Sequence, residues 1–135
     1  MFGREIILIS TLAVMIGCQP TVPKGKTLVP APEVTGLFRH VCLSDAPEKR
    51  LVFPFVELGN DTYRHSNFDL QFSISGKSCS MVAMLEEPNG KLSDPRVEAS
   101  RASKIRILNQ LRAMKPGIKT NIREDGYVAA TTELN

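Results

Sequence analysis

The chain has 135 residues and a formal net charge of +3, from 17 Lys and Arg against 14 Asp and Glu. So small an excess, dispersed along the chain, does not argue for the concentrated basic face that a nucleic acid calls for. The absence of Trp and the low aromatic content leave no stacking platform for bases, so nucleic acid is not expected as a partner.

In chain order, Arg4 precedes an apolar run from Ile6 to Ile16, followed by the small Gly17 and then Cys18. This is the layout of a removable export signal. At about eleven residues the run is too short to cross a bilayer as a helix, which takes about twenty. The tetrapeptide Met15-Ile16-Gly17-Cys18 resembles the lipobox of bacterial lipoproteins, whose final Cys is acylated on its thiol and becomes the mature N-terminus. The resemblance covers only the start of the chain and names a processing class. It implies a signal peptide over 1–17, lipidation at Cys18 and the membrane as a partner through that anchor. It also implies a place in the cell envelope, facing the periplasm, on the outer membrane. An ordinary cleaved signal, giving a soluble secreted or periplasmic protein, and an uncleaved anchor or buried helix are the alternatives for the same run.

Three thiols are present, Cys18, Cys42 and Cys79. With Cys18 carrying lipid the other two form an even pair, and export delivers them to an oxidising compartment where a disulfide is the default. A Cys42–Cys79 bridge would close a loop of about 38 residues and stabilise the fold by roughly 4 kcal/mol as an upper figure. Neither thiol belongs to a Cys-x-x-Cys pair and only His40 lies near Cys42, so no metal is expected, nor any other cofactor. Losing residues 1–17 removes Arg4 and Glu5 together and leaves the net charge unchanged.

Residues 18–33, rich in proline at Pro20, Pro23, Pro30 and Pro32, read as a lipidated N-terminus and tether. In polyproline form it would reach about 45 Å at roughly 3.1 Å per residue. Residues 34–135 then make one globular domain. Leu37, Phe38, Val41 and Cys42 recur at helical spacing and place Cys42 on an inner face. From Asp45 two readings stay open. A helix capped by Asp45 and Glu48 would run through Leu51, Phe55 and Leu58 with Pro54 inside it; alternatively Leu51 to Leu58 is an edge strand, where proline is tolerated. The helix is slightly preferred.

Phe68, Leu70, Phe72 and Ile74 alternate with polar residues and predict a strand with one buried face. Gly76-Lys77 turns it into a partner running from Ser78 to Leu85, with Cys79, Met81 and Leu85 inward. Asp94-Pro95 and Pro116-Gly117 bracket a helix over 95–115, whose apolar stripe is Ile105, Leu108 and Leu111, widened by Ile107, Val97 and Met114. Arg101, Lys104 and Arg112 fall beside that stripe, with stems expected to cover core edges while the charges reach water. Gly117 to Ile122 and Gly126 to Thr132 predict a second hairpin. The expected class is α+β, a small antiparallel sheet of two hairpins with helices on one face.

Chemistry-bearing residues are few. His40 and His65 are the only imidazoles, and Asp61, Asp69 and Glu57 are the acids that could orient one. Gly76-Lys77-Ser78 lacks the leading glycine of a phosphate-binding loop, Gln71 standing in its place. Asn60-Asp61-Thr62 matches a glycosylation sequon by accident beside a bacterial-type signal. No catalytic residue is assigned. The expected function is that of a non-catalytic, lipid-anchored envelope protein that binds or scaffolds an unidentified envelope protein or polymer. The alternative is a small periplasmic hydrolase using His65 with Asp61 or Asp69.

Overall fold

The computed structural model describes residues 26–87 and 94–134; the signal and Cys18 lie outside them. Among the described residues three helices and six strands follow in the order α1 Ala31–Cys42, α2 Pro47–Arg50, β1 Phe55–Gly59, β2 Thr62–His65, β3 Leu70–Ser75, β4 Ser78–Ala83, α3 Glu98–Arg112, β5 Lys119–Ile122 and β6 Val128–Glu133. One antiparallel sheet holds all six strands in the order β1-β2-β3-β4-β6-β5. The expected α+β class is therefore observed, with three hairpins in place of two.

Period-two alternation decides which face is covered. Leu70, Phe72 and Ile74 of β3, Cys79, Met81 and Ala83 of β4, and Val128, Ala130 and Thr132 of β6 are buried, whereas their alternate neighbours are partly open. Val34, Phe38, Val41 and Cys42 of α1 and Ile107, Leu108 and Leu111 of α3 close the core over that face. Cys42 and Cys79 form a disulfide there, with Cα atoms 5.5 Å apart, joining α1 to the central strand β4. The helix spacing that set Cys42 inward and the strand parity that set Cys79 inward meet at one point.

Two boundaries differ from expectation. The proline-rich tether is expected to run through residue 33, but Lys26 is already bonded to the loop after β2. Thr27 and Val29 make parallel bridges to Phe68 and Leu85, Val29 is buried, and α1 begins at Ala31. Pro30 is the N-cap of α1 and Pro32 lies in its first turn, where a missing N–H costs no intrahelical bond. Pro30 and Pro32 thus start a helix, a role that composition alone does not separate from that of a tether; Pro20 and Pro23 lie outside the described residues.

The second boundary is the 46–58 segment, which divides. Only Pro47–Arg50 is helical, and Val52 O accepts the N–H of Phe55 in a turn whose tip is Phe53-Pro54. Pro54 precedes an edge strand rather than interrupting a helix, as the second reading allowed. A two-residue turn joins β1 to β2 through Asn60 and Asp61, both at positive φ (53° and 60°), with Thr62 Oγ1 donating to Asn60 O. These short polar side chains tolerate the left-handed region, so the sequon residues have a structural use.

Helix α3 is shorter than expected at both ends. Asp94 is held by the backbone N–H and guanidinium of Arg96 rather than capping the helix, and Gly117, at φ 89°, turns the chain after it. Its buried stripe is Ser100, Lys104, Ile107, Leu108 and Leu111. Ile105, expected inside, is 40% exposed, while Lys104, expected to extend to water, is 0% exposed.

Candidate functional site

The sheet face opposite the helices carries no covering element among the described residues, and strand register orders its side chains in rows. Thr62 of β2 pairs with Ser73 of β3, Ser73 with Ser80 of β4, Ser80 with Thr131 of β6, and Thr131 with Lys119 of β5. Successive partners on one face lie roughly 5 Å apart. This makes a line of four hydroxyls ending in an ammonium group. Ser80 Oγ and Thr131 Oγ1 are 3.0 Å apart and bonded to each other. A neighbouring row runs Arg64, Gln71, Val82, Ala129 and Asn121. The middle of the first row is built from short hydroxyl side chains, with Arg64, Gln71 and Lys119 as the long ones toward the edges, so the face offers hydroxyl and amide hydrogen bonds to a flat, extended partner.

At the upper end of this face lies a cleft of about 410 Å³, lined by Lys26, Arg64, Asp69, Arg123, Asp125 and Tyr127 among others. Asp69 is buried just before β3, where its N–H donates to Thr27 O, and its carboxylate accepts a hydrogen bond from the Tyr127 hydroxyl at 2.8 Å. Burial pushes the Asp69 carboxyl above its ordinary value, although the Tyr127 bond and the Lys26 charge act the other way. Burial, then the Asp69 bond and charge, raise the Tyr127 phenol well above its usual range, so it remains a donor at every physiological pH. Arg123 is bonded to Asp125 at 2.7 Å and lies 5.3 Å from the centre of the Tyr127 ring. Lys26 and Arg64 give the rim an excess of positive charge beside these paired groups.

The residues of the hydrolase alternative are dispersed. His65 is buried at the end of β2 between Phe55, an edge-on ring at 5.1 Å, and Phe68 at 4.8 Å. Its Nδ1 accepts two backbone N–H groups, from Asn67 and Phe68, each at 3.0 Å. A nitrogen that accepts twice holds no proton, and burial followed by the Lys26 charge lowers the ring's affinity for one. Asp61 is in the turn at the far end of β2, and Asp69 is engaged by Tyr127. His65 is therefore the anchor of the loop between β2 and β3, in a setting that opposes proton transfer. His40 is exposed on α1. Gly76 and Lys77 form the tight turn between β3 and β4, with Ser75 paired to Ser78.

Among the described residues no group of His, Cys, Asp and Glu is arranged to hold a metal ion, and no helix is long and apolar enough to cross a membrane. Tyr127 was not singled out from sequence because its partner lies 58 positions away. Its signal was parity: Tyr127 shares the open-face phase of Ala129 and Thr131. Comparison of the chain with known protein families, with characterised proteins and with solved structures returns no match.

Proposed function

We propose that this chain is a lipid-anchored protein of the cell envelope, held by Cys18 on the periplasm-facing side of the outer membrane after removal of residues 1–17, and that it binds or scaffolds an envelope protein or polymer without catalysing a reaction. The observation that carries this reading is the closed Cys42–Cys79 disulfide. It fits an oxidising compartment and leaves Cys18, at the end of the export-type run, as the one thiol outside the pair. The open hydroxyl face offers a surface for an extended partner, and the setting of His65 weighs against the hydrolase alternative.

The test is metabolic labelling with a fatty-acid analogue, followed by membrane fractionation of the wild type and Cys18→Ala. Label on the wild type alone, with the variant released to the soluble fraction, is the expected result. A variant that stays equally membrane-bound, or a mature chain that still begins at Met1, contradicts the anchor.

A further inference from the structure

We infer that the turn carrying Val52 and Phe53 is a membrane-contacting tip that dips into the headgroup region of an anionic bilayer and sets the orientation of the domain on it. This rests on the lipid-anchor reading and adds a surface that the anchor alone does not supply. Phe53 is 88% exposed and Val52 61% exposed, at the apex of the turn closed by the Phe55 N–H to Val52 O bond. A large aromatic ring presented at a turn tip buries nothing within the fold, so its apolar surface is free for another phase.

The identity of that phase follows from where Lys26 is held. Lys26 Nζ donates to Ser66 O at 2.6 Å and to His65 O at 2.8 Å. Ser66 in turn donates its backbone N–H to Pro54 O at 2.8 Å, and its hydroxyl bonds the same oxygen. Lys26 is thus linked through a single residue to the proline next to Phe53. From Cys18 to Lys26 is a step of eight residues, which spans at most about 29 Å even when fully extended. An acylated Cys18 therefore keeps this corner of the domain within about 29 Å of the bilayer.

Charge is arranged in the same sense. Lys49 and Arg50 are exposed in the last turn of α2, directly before the tip, and Arg64 is exposed on β2 beside Val56. Of the acids of this region, Asp61 sits in the turn at the far end of the hairpin and Glu57 is opposite Tyr63, while Glu48 lies on α2 itself and leaves that helix with two bases against one acid. An apolar wedge with basic residues next to it is the composition that favours shallow insertion, about 5–10 Å deep, into an anionic interface.

The chain has no tryptophan, so Phe53→Trp introduces a single reporter at an exposed position. The lipidated full-length protein carrying Phe53→Trp is reconstituted into phosphatidylethanolamine vesicles containing phosphatidylglycerol, with and without brominated acyl chains, and its flotation and emission are read together. Ser75→Trp, at the opposite end of β3, is the reference. The expected result is blue-shifted emission that brominated chains more than halve for Phe53→Trp and leave unchanged for Ser75→Trp; adding Val52→Asp weakens the quenching. Protein that floats but shows no quenching at 53, or equal quenching at both positions, overturns the tip while leaving the anchor in place. Protein that fails to float overturns both. A blue shift that ignores bromination and grows with protein concentration assigns the tip to contact between two copies of the chain and overturns it as well.

Discussion

The Tyr127 hydroxyl donates to the Asp69 carboxylate at 2.8 Å, tying the start of β6 to the point where the N-terminal segment bridges the residues just before β3. The same aspartate joins two further pieces of backbone, since its N–H donates to Thr27 O and its carbonyl accepts from Met84 N. Three segments distant in sequence therefore converge on one buried acid. The carboxylate has lost water, and the phenol replaces part of what was lost.

Tyr127→Phe removes that donor and leaves the carboxylate desolvated, with an expected loss of about 1–3 kcal/mol at neutral pH in urea unfolding. Asp69→Asn keeps an acceptor for the hydroxyl and removes the buried charge, so it should cost less. The pH dependence separates the two effects. Because the folded state raises the Asp69 carboxyl, native protein binds this proton more tightly than the unfolded chain. Its contribution to stability then falls as pH rises from the ordinary carboxylate value through the raised one. Asp69→Asn should flatten that part of the stability curve. An unchanged curve in Asp69→Asn, or a Tyr127→Phe variant as stable as wild type, would count against the pairing.

Cys42 and Cys79 connect α1 to the middle of the sheet, 37 positions apart. Replacing both with Ala should lower unfolding stability by about 2–4 kcal/mol, chiefly because the unfolded chain regains the conformations the closed loop denies it. The comparison is wild type, reduced wild type and the double variant in urea. Mass spectrometry of unreduced protein taken from the envelope should show the two cysteine peptides linked. Alkylatable thiols at both positions in that material would defeat the prediction, and with it the argument from compartment.

Strong local pattern is what made parts of this fold readable in advance. Phe68 to Ile74 and Ser78 to Leu85 alternate with period two because one face of β3 and β4 is covered by helices, and that fixed the inward parity of Cys79. The hairpin β1–β2 has no such cover over its length: Val56, Glu57 and Leu58 are all exposed. Without a buried face, Leu51, Phe55 and Leu58 fitted a helix as well as a strand, and Thr62 to His65 gave no periodic signal. Pro30 and Pro32 misled for another reason, since a proline that ends a tether and one that starts a helix look alike until α1 is seen to pack. The candidate face depends on register across five strands, and the Asp69–Tyr127 pair on a long-range meeting that local spacing does not encode.

Lys104 presents the clearest conflict between local chemistry and global packing. It lies on α3 between Ser100 and Leu108 on the buried stripe, it is fully buried, and its Nζ has no hydrogen-bond partner among the described residues. The nearest compensation is at longer range, from the charges of Glu87, Asp94 and Asp125; burial outweighs them and lowers the ammonium's hold on its proton. Lys104→Met fills the same volume without a charge and should stabilise the protein by about 1–4 kcal/mol at neutral pH. The unfolded chain binds this proton more tightly than the native one, so the cost of Lys104 is largest at low and neutral pH and is relieved as pH rises through the lowered value toward 10.5. The stabilisation by Lys104→Met should therefore shrink in alkaline buffer. A variant that is less stable than wild type at neutral pH, or whose advantage does not change with pH, would show that the ammonium is held by interactions stronger than its desolvation.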